Sequence, residues 1–359
     1  MDAYAGAGTG TGSVDVVALG ESMVTFLPTR AGRLADVPSF ERGIGGAESN
    51  VACVLARSGH SARWVGRVGA DAFGDHLVET ITAYGVDTSA VRRDPGRPTG
   101  VYFRTAGDRA TDAHEVAYYR AGSAASAMTV DTVDLAAARS GRVLHLSGIT
   151  AALSGGCLDL MRELTTRRPG RPLVSFDVNH RPGLWHGHPE GPRVLLDLAR
   201  GADIVFVGQD EAGDAWGLRG AAAIREALPE PDVLVVKYGK GGAVMFDRDA
   251  PQGTEDATGT ATFVRAPRVD VVAAVGAGDA FAAGFLSATL RGLPARDRLR
   301  HGHLTAAAAL TVRGDLAEPP ARGHADRLAA LDDRAWETLR LGPGWTEADA
   351  RAAEEVRTP

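Results

Sequence analysis

The chain has 359 residues, 44% hydrophobic and 23% charged, which is enough apolar material for a large core. A formal net charge of −6 argues against a general nucleic-acid binder, whose surface carries a basic excess. Two cysteines, Cys53 and Cys157, are too few for a disulfide framework or a structural zinc site, and no apolar run reaches the roughly 18 residues of a membrane span.

Residues 1–13 are small and Gly/Thr-rich, with no charged region followed by an apolar one. They read as a flexible tail, not a signal peptide, and with two free thiols the expected location is the cytoplasm. Short apolar runs follow at 14–19, 63–68, 143–147, 173–178, 203–207, 233–237 and 243–246. Between them lie segments with helical spacing at 47–58, 73–84, 156–168, 193–200 and 221–227. Continuous apolar strands alternating with helices predict an α/β fold: a doubly wound, mainly parallel sheet sandwiched by helices. Two stretches, about 22–40 and 98–122, hold short β segments without intervening helices and predict a small β lid over a cleft. The last third is mostly helical, at 278–290, 301–312 and 322–340. One domain is expected over 14–320, with 321–359 as a peripheral helical tail.

Among basic residues only Lys237 and Lys240 are lysines; the others are arginine. The plain reading is a codon bias, but both lysines fall at one turn, in Val235-Val236-Lys237-Tyr238-Gly239-Lys240-Gly241-Gly242.

The most informative segment is Val275-Gly276-Ala277-Gly278-Asp279-Ala280-Phe281. Glycines sit where a loop enters an apolar helix. Such a helix start leaves backbone N–H groups unpaired, and those donors with the helix dipole attract an anion. An acid there is a common dipole partner, and it is also where a base for phosphoryl transfer belongs. A second glycine-rich helix entry is Gly43-Ile44-Gly45-Gly46-Ala47-Glu48-Ser49-Asn50, in which Asn50 can donate and accept towards a polyol, or simply face solvent.

Together with Val65-Gly66-Arg67-Val68-Gly69-Ala70-Asp71, these segments resemble the ribokinase-like (PfkB) carbohydrate kinase family over roughly residues 14–312. The resemblance implies a β lid over a sugar site and ATP-dependent phosphorylation of a sugar hydroxyl with Mg²⁺. Asp279 then matches the catalytic base, and the amides of Gly276, Ala277 and Gly278 match the anion hole. Lys237, Gly239 and Gly242 match the strand and turn bordering the nucleotide. Glu211 matches the acid that organises Mg²⁺ through water, although Gly208 stands where the family has Asn, so Gln209 is a candidate substitute. Ala273 stands where many relatives carry an acid near a monovalent cation, so little K⁺ activation is expected.

Within the family, Pro98-Thr99-Gly100-Val101-Tyr102-Phe103, Tyr118-Tyr119-Arg120-Ala121-Gly122-Ser123 and Asp177-Val178-Asn179-His180-Arg181 are most similar to the 2-keto-3-deoxygluconate kinase branch. The resemblance implies that Gly46 and Asn50 meet sugar hydroxyls and that Tyr102, Tyr118 and Arg120 come from the lid. A sugar carboxylate entering a partly dry site needs cationic partners, and Arg120 and Arg181 are the candidates. Thr25 stands where ribose- and fructose-type kinases usually place Asp. The expected partners are a small sugar acid and ATP, with no nucleic acid and no membrane; a homo-oligomer stays open.

Other readings compete. A kinase for a neutral sugar, or a non-catalytic binder on the same fold, fits the same motifs. Gly6-Ala7-Gly8-Thr9-Gly10 precedes the first strand and so fails the dinucleotide-binding context, and neither lysine lies in a phosphate-loop run. His145, His180 and His303 lack a metal-ligand spacing and read as structural.

Overall fold

In the computed structural model, which describes residues 13–30, 32–105, 115–248 and 260–347, the apolar runs assemble into one eight-stranded sheet. Its order is Thr260–Val264, Ala243–Asp247, Val233–Lys237, Ile204–Gly208, Leu173–Asp177, Gly141–Ser147, Val14–Leu19, Ala62–Val65. Pairing is parallel except on the two sides of Ala243–Asp247.

Successive strand residues point to opposite faces, so a strand covered on both sides must be apolar throughout. Strand Val14–Leu19 shows this: Val16 and Ala18 join one core cluster, Val17 and Leu19 the other. Helices Ala47–Arg57, Ala277–Leu290 and Ala295–Leu310 cover the first face, and Gly155–Thr165 and Gly191–Gly201 the second. Each fully buried aliphatic side chain contributes roughly 1.5–3 kcal/mol before conformational entropy is set against it.

The lid is a four-stranded sheet in the order Phe40–Gly45, Met23–Pro28, Val101–Arg104, Val116–Tyr119. Phe26, Phe40, Phe103, Phe73 and Tyr119 form a continuous aromatic cluster that stiffens it. Strand Phe40–Gly45 was not expected, because its sequence reads as a glycine-rich loop; it exists by antiparallel pairing with Met23–Pro28.

Two further expectations change. The run at 63–68 is split into Ala62–Val65 and Arg67–Gly69 at Gly66, where a Cβ would collide with the Trp64 ring and the Gly20 carbonyl. The segment 321–347 is not peripheral. Trp336 and Leu341 are buried, Arg300 stacks over Trp336 at 4.6 Å, and Arg340–Leu341 pairs with Arg268–Val269. Large apolar side chains in a polar stretch act here as core anchors. Residues 1–12 of the first expected tail and 348–359 of the second lie outside the described residues. No described helix is long and apolar enough to cross a membrane.

Asp177, Gly208 and Lys237 end adjacent parallel strands, and Glu21 follows the strand Val14–Leu19. Functional groups of open α/β sheets gather at this edge.

Candidate active site

Gly276 caps helix Ala277–Leu290 in a left-handed conformation (φ 75°), and a Cβ there would collide with the carbonyl oxygen of Asp315. Glycine therefore allows a turn whose first amides have no acceptor within the helix. Asp279 lies in this first turn and is half-buried. Opposite it, Gly46 starts helix Ala47–Arg57 packed against the backbone of Glu21 and Ser22, so that no Cβ fits. One turn on, Asn50 Nδ2 donates to Asp279 Oδ2 at 2.9 Å. The buried Oδ1 of Asn50 has no partner, an acceptor left open for a ligand hydroxyl.

Burial pushes Asp279 up to about 7, helped by the negative charge of Asp177, while Asn50 and the cations Arg181 and Lys237 pull the other way. A carboxylic acid poised near neutrality suits proton abstraction.

Two cavities meet at the turn. The first, about 380 Å³, is polar and lies under the lid. It is lined by Gly46, Asn50, Tyr102, Tyr118, Arg120, Arg181, Glu211, Lys237 and the turn 276–279, so these predicted residues come together. The second, about 390 Å³, is mostly apolar, with walls from Ala266, Pro267, Val271, Phe281, Ala307 and Leu310. Gly239 and Gly242 border it, both at positive φ, and Lys237, Ala277 and Gly278 belong to both cavities. His303 also lines it, with Nε2 on the carbonyl of Val264 at 3.2 Å; burial pushes this histidine down to about 4, so it is neutral.

The charges of the polar cavity are organised as four acid–base pairs: Glu21 with Arg120, Asp315 with Arg104, Asp177 with Lys237, and Glu211 with Arg181. Among the described residues lining it, Asp279 is the one carboxylate without a cation in salt-bridge contact. Arg120 is therefore not a free cation. It is held by buried Glu21, which also accepts from Ser123 Oγ at 2.8 Å, and it lies 5.7 Å from the centre of the Tyr118 ring. Arg181 is held more loosely, 3.4 Å from Glu211, with its side chain 38% exposed. Lys237 donates to both oxygens of Asp177, at 2.9 and 3.2 Å. Burial opposes the charge on Lys237, but the facing Asp177 and Glu211 carboxylates outweigh it and raise its pKa.

The apolar slot, the amide turn and Lys237 fit a purine nucleotide with its phosphates over Gly276–Gly278. A divalent ion has less protein to hold it: among the described residues no group of three or more His, Cys, Asp or Glu could do so. Glu211, expected on the metal side, uses Oε2 to accept the Gly208 amide at 2.9 Å at the start of helix Gln209–Trp216. Gln209 does not line the cavity. An ion riding on phosphates, with waters and one carboxylate, is compatible with this set.

Sequence reasoning missed Glu21, Arg104, Asp177 and Asp315 as site residues, and missed the apolar walls of the second cavity. Their roles come from pairing across the fold, and only the strand-end position of Asp177 gave a local signal.

Residues 14–322 match the model of the pfkB family carbohydrate kinases. The 2-dehydro-3-deoxygluconokinases of Bacillus subtilis and Thermoproteus tenax are 34% and 32% identical, over 86% and 88% of this chain and 93% and 94% of theirs. Fructokinase-1 of Zea mays is 30% identical over 76% of this chain and 81% of its own. A sugar kinase from Pyrococcus horikoshii, solved in complex with ATP, superposes with a TM-score of 0.74 at 25% identity, covering 90% of this chain and 100% of that one. The chain is a member of the pfkB family of carbohydrate kinases, phosphotransferases with an alcohol group as acceptor.

Proposed function

We propose that this kinase transfers the γ-phosphoryl group of MgATP to the terminal hydroxyl of a sugar acid of the 2-keto-3-deoxygluconate type, in the cytoplasm. The observation that carries the chemistry is Asp279, half-buried, near-neutral in pKa and held by Asn50 where the polar and apolar cavities meet. The base of ATP takes the apolar slot and the sugar lies under the lid. Asp279 accepts the hydroxyl proton as that oxygen bonds to phosphorus and the bond to the β-phosphate oxygen breaks, releasing ADP. The amides of Gly276, Ala277 and Gly278 hold the phosphoryl oxygens, and Lys237 offsets their charge. Bound Mg²⁺ would neutralise the phosphate charge. The lid excludes water and so limits hydrolysis of ATP.

The acid substrate is supported by Arg181. Its half-exposed guanidinium and long contact to Glu211 leave it able to fork onto a carboxylate. The two deoxygluconokinase relatives point the same way. A neutral sugar is the second reading, supported by the maize fructokinase.

The test is ATP consumption by the purified protein with ketodeoxygluconate, ketodeoxygalactonate, fructose, ribose and adenosine. The expected result is a much higher kcat/KM for one of the keto-deoxy acids. Preference for fructose would select the second reading, and no turnover with any sugar would leave a binding protein.

A further inference from the structure

Arg104 ends the inner lid strand Val101–Arg104 and is buried, with its side chain 3% exposed. Its Nη2 donates to Asp315 Oδ1 at 2.6 Å and to the carbonyl of Arg313 at 3.2 Å. Two residues earlier on the same strand, the Tyr102 hydroxyl donates to the other oxygen of Asp315 at 2.5 Å. The lid thus grips one carboxylate with two side chains. Asp315 belongs to the loop that follows helix Ala295–Leu310, not to the lid, and its own carbonyl oxygen is pressed against Gly276, with no room for a Cβ between them.

A short, packed chain therefore runs from the lid strand to Arg104, to Asp315, to the amide turn that carries Asp279. Gly45, at the end of the outer lid strand Phe40–Gly45, lies against the same Tyr102 hydroxyl and Asp315 carboxylate, again without room for a Cβ.

We infer that Arg104 is a positioning residue that transmits lid closure through Asp315 to the phosphate-binding turn, so that sugar bound under the lid tightens nucleotide binding. Arg104 acts by holding Asp315; it also lines the polar cavity, so the quantity that reports its role is the coupling ratio, from which any direct loss of sugar affinity cancels. The carboxylate has two lid donors, and a lid that moves as sugar binds pulls or releases it. The carbonyl of the same residue then shifts against Gly276, whose left-handed geometry sets the direction of the turn's amides. The energetic content is a coupling free energy between two sites, which by linkage acts equally in both directions.

This rests on the kinase reading above, and the test separates the two. Calorimetry would measure binding of a non-hydrolysable ATP analogue to the full chain with and without ketodeoxygluconate. In the wild type the sugar should tighten the analogue by about tenfold, and the analogue should tighten the sugar equally. In Arg104→Met the coupling should fall to near unity, while the analogue binds the sugar-free protein about as before. A wild type that binds neither ligand would defeat the kinase reading itself. A wild type that binds both without coupling, or an Arg104→Met variant with undiminished coupling, would overturn the inference alone. Should Arg104→Met fail to fold, Arg104→Lys keeps the charge but, being shorter, does not bring a donor to the place of Nη2 and should show reduced coupling; full coupling there overturns it. Hydrogen exchange of the wild type needs no variant. On adding sugar alone, amides 276–279 should be protected together with strand Val101–Arg104, and protection confined to the lid would contradict the chain of contacts.

Discussion

Asn50 and Asp279, 229 positions apart, meet through one hydrogen bond of 2.9 Å at the junction of the two cavities. That bond favours the ionised form of Asp279, against burial and the nearby Asp177 that raise its pKa to about 7. Ionised Asp279 is the base, so kcat/KM should climb as pH rises through about 7. Asn50→Ala removes the donor and should move this limb upward by about one to two pH units, the equivalent of a hydrogen bond to a charged group. An unmoved limb would show that another group controls the profile.

Arg120 is tied to Glu21 at the wall of the polar cavity. Removing one partner of a buried pair strands the other, so Arg120→Ala should cost roughly 3–5 kcal/mol of stability in denaturant unfolding. Adding Glu21→Gln should restore most of that loss. A single variant as stable as the wild type would mean that the pair is solvated.

Arg181 is the loosest cation of the polar cavity. Arg181→Ala should raise KM for a keto-deoxy acid by roughly ten- to a hundredfold, the worth of a charged hydrogen bond. KM for fructose should hardly change. Equal effects on both sugars would remove the carboxylate assignment.

Glu48 is fully buried beside Gly20, accepts from Thr150 Oγ1 at 2.7 Å, and is pushed up to about 8 by burial. Its folded pKa lies above its unfolded value of 4.5, so the folded state holds the proton more tightly. Its contribution to stability is complete below that unfolded value and is lost as pH rises towards about 8. Glu48→Gln keeps a neutral side chain at every pH. The variant should therefore gain stability relative to the wild type between pH 5 and pH 8, by on the order of a few kcal/mol, and its Tm should rise accordingly. Parallel Tm curves for the two proteins would contradict a protonated Glu48.

Much of this was legible in the sequence where a local rule decides it. The apolar strands announce a covered sheet, and the glycines before Ala47 and Ala277 announce two helix entries. The rest depends on partners distant in sequence. Nothing in Phe40–Gly45 says strand until Met23–Pro28 lies beside it. Arg120 is a candidate for the sugar carboxylate on sequence, and nothing local says that Glu21, about a hundred residues earlier, pairs with it. Asp315 sits in a loop with no motif of its own, and only the fold brings it to Gly276 and the lid. The apolar slot is built from strand, loop and helix residues that look like ordinary core.

The central claim is that Asp279 takes the proton from the attacking hydroxyl. Its most direct test is Asp279→Asn, assayed for turnover with ketodeoxygluconate and MgATP while calorimetry follows the binding of each ligand. The account predicts a fall in kcat of about a thousandfold with both ligands still bound; a kcat near that of the wild type would contradict it.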